Sequence, residues 1–293
     1  MNIWDNLKIT YKNGGMVVKL IYFNTVLFLL VSLVSVVFKL FAIHGVEYTT
    51  WFAVPSNLQQ LLTHCWTLIT YMFYHEQFFH IFFNMLVLYW FGKIFTMFYT
   101  EKQLLSLYIF GGLIAAIVYI AAYNLLPYYE AASYYSLLMG ASGSIVAILV
   151  ASAVKAPNME IRLFLIGRVK LMWIAIITVL ISFFGLTSNN GGGEMAHLGG
   201  ALAGYLFVVF EKKDIDITAF INKVIDFFVN LFRPRPKKKK ATYYHAQKLS
   251  SEEYNQKKVN DEKEIDRILD KIKTSGYESL TAEEKRKLFE QKR

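Results

Sequence analysis

Apolar residues fall into six long runs, 17–41, 78–98, 104–126, 137–154, 169–186 and 195–210, separated by short polar stretches. A bilayer's hydrocarbon core takes roughly 20 consecutive apolar residues of helix, so the pattern predicts six transmembrane helices. The sixth run is short, which tilt or neighbouring helices accommodate. The first is too long for the apolar centre of a signal peptide and no small-residue cleavage site follows it, so it is expected to stay as a helix. Beyond position 210 the pattern changes. Over 214–232, Ile217, Phe220, Ile221, Val224, Ile225, Phe228 and Leu231 recur at helical spacing around Asn222, Lys223 and Asp226. That predicts an amphipathic helix in the membrane interface. Over 262–291 two short helices are expected: a stripe of Ile265, Ile268, Leu269 and Ile272, a turn at Ser275-Gly276, and Thr281 to Glu284 in the form of a capping box. This last segment is too short to hold much core alone; docking on the membrane body or a partner, and a merely solvated hairpin, both stay open.

Charge sharpens the division. The chain has 293 residues and a formal net charge of +9. Residues 1–210 hold 10 basic and 7 acidic side chains, while residues 211–293 hold 21 and 15. A soluble domain is about one-quarter charged, so the first part cannot keep a soluble surface. The expected fold is therefore all-α: a polytopic membrane protein with six transmembrane helices and short cytoplasmic C-terminal helices. Its parts are a cytoplasmic N-terminus (1–16), a six-helix membrane core (17–210), an interfacial helix with a polybasic linker (211–240) and a charged cytoplasmic helical segment (241–293). Disorder throughout, a disulfide scaffold and a secreted enzyme are excluded; the single cysteine, Cys65, has no internal partner.

Six spans put both termini on one side, and basic residues mark that side as cytoplasmic. Lys8, Lys12, Lys19, Lys93, Lys102, Lys155, Arg162, Arg168, Lys170, Lys212 and Lys213 all fall there, with the run from Arg233 to Lys240. The opposite loops carry Glu47, Glu76, Glu130 and Glu194; only Lys39 departs, and it is placed to snorkel. The run from Arg233 to Lys240 is expected to attract anionic lipids or to serve only as a topology signal. Nucleic acid is not expected, because no readout module stands beside it.

In this topology the second, fourth and sixth spans all begin at the outer side. Polar groups stand at those three starts: His75, His80 and Asn84; Ser142 and Ser144; and His197. Intramembrane polar groups are costly and face a cavity or one another, so the three helices are expected to gather them at one depth. Ser142 needs a base to become a nucleophile, and His197 can supply it. Gly200 and Gly204 give the last span a small face, and Gly140, Gly143, Ala147 and Ala151 give the fourth span another. His80 and Asn84 share a helix face and, with the Ser142 backbone N–H, could donate to an oxyanion. Glu194 is expected in the loop before the last span, not at a depth to orient His197, which favours a Ser–His dyad over a triad. Each group taken singly also fits plain packing: His75 reads as a loop residue and Ser144 as bonded to its own helix. A protease, a non-proteolytic binder of membrane helices and a proton or solute transporter all remain open on these residues.

The motifs themselves, Trp66 to His75 followed by His80-x-x-x-Asn84, Gly140-x-Ser142-Gly143, and Ala196-His197-x-x-Gly200-x-x-x-Gly204, resemble those of the rhomboid intramembrane serine proteases, in order and spacing, across residues 15–210. The resemblance implies a six-helix core around a water-filled cavity opening outward. It implies Ser142 as nucleophile, His197 as base and then acid, and an oxyanion site from His80, Asn84 and the Ser142 backbone beside Gly140. The implied substrates are transmembrane helices of other proteins in a bacterial plasma membrane, cut without metal or cofactor. Two positions depart: Thr67 stands where the family has arginine, and Val146 where it often has an aromatic that packs on the imidazole. The segment 262–291 resembles one that follows some bacterial rhomboid cores.

Overall fold

The computed structural model describes residues 2–43, 48–163, 167–231 and 251–290, in two compact units divided at Arg233 and Pro234. Thirteen helices are described. The first unit contains α1 (Ile3–Asn13), α2 (Met16–Leu40), α3 (Tyr48–Phe52), α4 (Leu58–Thr63), α5 (Thr67–Thr70), α6 (Phe78–Phe95) and α7 (Glu101–Leu125), then α8 (Ser142–Lys155), α9 (Leu171–Phe184), α10 (Gly191–Glu211) and α11 (Ala219–Leu231). The second contains α12 (Ser251–Ser275) and α13 (Ala282–Glu290).

Each of the six apolar runs contains a helix, but they are not equal. Four, α2, α6, α7 and α10, are long and apolar enough to cross a membrane. The expected fourth and fifth spans shorten to α8 and α9, of 14 residues each. Their leading residues form strands instead, which corrects the all-α expectation in detail. Leu137–Leu138 (β2) pairs antiparallel with Val54–Pro55 (β1), and Gly167–Lys170 (β4) folds back on Glu160–Leu163 (β3). Gly140 then turns the chain at φ +108°, a conformation that disfavours any side chain, and α8 can begin only after it.

The centre of the unit is α8, buried at every position from Gly143 to Ala153. It packs against α6, α7 and α10. Small residues allow this closeness. A β-carbon at Gly200 would strike the Gly143 carbonyl, one at Gly204 the Ala147 carbonyl, and one at Gly111 the Ala147 side chain. The small faces expected on the fourth and sixth spans therefore meet. Without a hydrophobic drive between helices in lipid, such backbone proximity is the main source of association.

The outer surface confirms what solvent this bundle needs. Phe23, Leu33, Phe83, Trp173, Ile181 and Phe184 are all more than half exposed. A soluble protein does not show so large an apolar surface; this is a membrane protein. Buried polar contacts tie the loop after α5 to α7: Tyr71 Oη donates to the Gly112 carbonyl at 2.6 Å, and Tyr108 Oη to the Met72 carbonyl at 2.8 Å.

Helix α11 starts at Ala219, later than the periodicity suggests, after a turn in which Asp216 Oδ1 accepts from the Thr218 N–H at 2.8 Å. Asn222 accepts from Ser106 Oγ at 2.6 Å and Lys102 meets Asp226 at 2.8 Å, seating the helix on α7. Ile221 is buried, while Phe220, Phe227 and Phe228 stay exposed. Phe232 and the basic run from Arg233 to Lys240 lie outside the described residues.

In the second unit α12 begins at Ser251, well before the expected stripe, and Gly276 turns the chain at φ +79°. The expected capping box is present: the Thr281 N–H donates to Glu284 Oε2 at 2.7 Å and the Glu284 N–H to Thr281 Oγ1 at 3.3 Å. Lys271 meets Glu284 at 2.9 Å, and Ile268 and Leu280 are buried.

The glycine contact carries a prediction. Gly200→Leu overpacks the α8–α10 crossing and is expected to destabilise the protein by about 3 kcal/mol or more, read as a lower melting temperature in detergent. Leu202 lies off that face and is exposed, so Leu202→Phe is expected to leave the melting temperature nearly unchanged.

Candidate active site

A cavity of about 770 Å³ lies where the N-terminal ends of α6, α8 and α10 converge. His80 and Asn84 line it from α6, Ser142 and Val146 from α8, and Gly193 and His197 from α10. Three separate segments thus bring imidazole, amide and hydroxyl groups to one space, as the topology predicts.

Ser142 is the first residue of α8. The first N–H groups of a helix have no intrahelical acceptor and point out of its positive end, so the backbone here offers donors beside the hydroxyl. The preceding turn is held on two sides. The Gly140 N–H donates to the Tyr71 carbonyl at 2.9 Å, and the Ala141 N–H donates to His75 Nε2 at 3.3 Å. A β-carbon at Gly140 would come within 2.7 Å of the His80 ring, so only glycine lets that ring lie against the turn.

His75 is therefore more than the loop residue expected from sequence. It is buried, its ring packs edge-on to His80 at 5.0 Å between centroids, and it fixes the turn that presents Ser142. Burial first, and then the neighbouring His80, push its pKa down to about 4. Its Nε2 accepts a hydrogen bond, as a neutral imidazole can.

Asn84 is buried and donates through Nδ2 to the His80 carbonyl of its own helix at 3.0 Å. One amide hydrogen and the carbonyl oxygen remain beyond that bond. Ser144 corrects another expectation. Its hydroxyl does not bond its own helix; it is buried without a hydrogen-bond partner among the described residues, against Gly112 of α7. Thr67, in the position of the expected arginine, is buried and closes its turn by donating to the His64 carbonyl at 2.6 Å.

The largest difference from the sequence reading concerns His197. Helix α10 begins at Gly191, four residues before the apolar run, because the three glycines continue as helix. Glu194 therefore sits in the first turn, not in a loop. Its Oε2 lies 3.1 Å from His197 Nδ1, and Ser182 Oγ of α9 lies at 3.1 Å from the same nitrogen. The expectation that no acid reaches the imidazole is overturned. The i,i+3 spacing of Glu194 and His197 was the available signal; Ser182, on a separate helix, left none. Val146 lines the cavity without stacking on the ring, which polar contacts hold instead. With a carboxylate at Nδ1, that nitrogen carries the proton and Nε2 is the basic one.

A hydroxyl at a helix start, an imidazole with one nitrogen already committed, and amide donors in the same cavity together suit acyl transfer. The Rhomboid domain pattern matches residues 62–213, more than half of the chain, and a family of unknown function (DUF6576) matches residues 251–291. No curated protein matches the chain.

The buried neutral His75 predicts a pH dependence. Its folded pKa, about 4, lies below the ordinary 6.5, so the unfolded chain binds more protons between those values. Its contribution is present above pH 6.5 and lost as the pH falls to 4, a swing of about 3 kcal/mol at most. Melting measured from pH 7 to 4.5 should fall steeply for the wild type and less so for His75→Gln; equal slopes would remove His75 as the cause.

Proposed function

The chain belongs to the rhomboid family, whose members are typically serine protease hydrolases, and from that premise we propose that it is an intramembrane serine endopeptidase acting on transmembrane helices of other membrane proteins. The observation that carries the reading is the shared cavity into which three helices deliver Ser142, His197, His80 and Asn84.

Ser142 Oγ attacks the scissile carbonyl carbon while His197 Nε2 takes its proton. The carbonyl oxygen, now negative, accepts hydrogen bonds from the Ser142 N–H and from Asn84 and His80, donors that cost no reorganisation at the moment of reaction. When the C–N bond breaks, the imidazolium returns the proton to the leaving amine. Water then enters, His197 removes its proton, and the acyl ester is hydrolysed to carboxylate and free serine. The chemistry requires water inside a membrane protein, which a polar-lined cavity can hold. A helical peptide bond is shielded by its own hydrogen bonds, so small or helix-breaking residues near the cut favour cleavage.

In this reading the six apolar helices all cross a bacterial plasma membrane, both termini are cytoplasmic and the cavity faces the outer leaflet. The basic run from Arg233 to Lys240 lies against anionic headgroups on the inner side. The exposed phenylalanines of α11 fit the interface beside it.

Purified protein in liposomes with a fluorescent transmembrane substrate tests the assignment. Ser142→Ala and His197→Ala should each lower kcat by about 10⁴-fold or more without lowering the melting temperature. Retained cleavage in either would refute it. Asn84→Ala should lower kcat by about 10²-fold while KM changes little; a change confined to KM would remove Asn84 from the oxyanion site.

A further inference from the structure

We infer that Glu194, with Ser182, is the positioning pair for His197, so that the cavity works with a carboxylate-oriented imidazole. The inference rests on the protease reading above and assigns a role to two residues outside it.

The geometry is specific. Glu194 is held at the His197 Nδ1 edge by the helix itself, one turn earlier, with its side chain 16% exposed and that of His197 21% exposed. Ser182 is buried on α9, a helix whose other faces are apolar and mostly exposed. Its hydroxyl reaches His197 Nδ1 at 3.1 Å, the same nitrogen that Glu194 Oε2 meets at 3.1 Å. The turn after α9 makes room for this: a β-carbon at Gly185 would stand 2.9 Å from Glu194 Cγ. A carboxylate and a hydroxyl thus meet at the one nitrogen.

Two consequences follow for the reaction. The acceptors fix the tautomer with the proton on Nδ1, leaving Nε2 as the base. The carboxylate also offsets the positive charge that appears on the ring once Ser142 is deprotonated. The other polar groups facing the ring cannot replace it. His80 of α6 is itself an imidazole, Asn190 and Ser142 are uncharged, and Glu76, the acid that lines the cavity, comes from the loop before α6 and accepts from Thr49 Oγ1 and Tyr74 Oη. Neither Glu194 nor Ser182 needs to touch substrate; both act through the ring.

The test compares Glu194→Gln, Glu194→Ala and Ser182→Ala with the wild type in liposomes, with kcat counted per site that reacts with a fluorophosphonate, so that misfolded protein drops out. Glu194→Gln keeps the shape and an acceptor but removes the charge, and kcat should fall about 10-fold. Glu194→Ala removes both, and kcat should fall about 100-fold, short of the ~10⁴ found where such an acid is fully buried. Ser182→Ala should cost a few-fold. In every case KM should stay within about 2-fold, and the fluorophosphonate labelling rate should fall in step with kcat, since both report nucleophile activation. Wild-type kcat and labelling rate in Glu194→Gln, or a rise in KM with kcat kept, would overturn the inference. Ser142→Ala and His197→Ala run alongside: if they still cut, the protease reading fails, and if they are inactive while Glu194→Gln is unaffected, only the role of Glu194 fails.

Discussion

The approach of α8 to α10 through bare backbone governs the rest of the molecule. Gly200 rests on the Gly143 carbonyl and Gly204 on the Ala147 carbonyl, where a single added carbon would not fit. Ser142 precedes the first of these contacts and His197 stands one turn from it along α10, so the crossing that packs the bundle also sets which groups share the cavity. In lipid, where apolar burial gives helices little reason to associate, contacts of this kind carry both stability and site geometry. A bulky residue at Gly200 would change both together.

Around that crossing, polar groups are arranged to serve the turn before α8. Tyr71, His75 and the backbone of Gly140 and Ala141 form a set of hydrogen bonds that leaves Ser142 at the head of its helix. Burial keeps His75 neutral, so it can accept from the backbone, while His197 is supplied with a carboxylate and a hydroxyl. Two imidazoles in one region are thus given different tasks by their surroundings: one accepts a structural hydrogen bond, the other keeps a basic nitrogen toward the cavity.

Much of this was legible in the sequence. Each of the six apolar runs located a helix, four of them long enough to cross a membrane; the small residues at positions 140–151 and 200–204 marked the faces that meet; Thr281 and Glu284 marked their capping box. What was missed has physical reasons. Leu137 and Leu138 are apolar in a strand as in a helix, so only the turn at Gly140 separates them from α8. Gly191 to Gly193 read as loop, yet packing of Gly191 and Gly192 against Tyr129 and Tyr119 leaves no room for side chains and the helix continues through them. That error hid Glu194. Residues 251–261 carry no apolar stripe, so α12 begins earlier than any periodicity indicates.

The most direct measurement is an experimental structure of the protein reacted with a mechanism-based phosphonate in a lipid bilayer. The account predicts a covalent bond from Ser142 Oγ to phosphorus, the phosphoryl oxygen within hydrogen-bond distance of Asn84 or the Ser142 N–H, and His197 Nε2 beside the modified oxygen. An adduct on another residue, or one at Ser142 with the His197 ring turned away and separated from it by lipid or protein, would contradict the account.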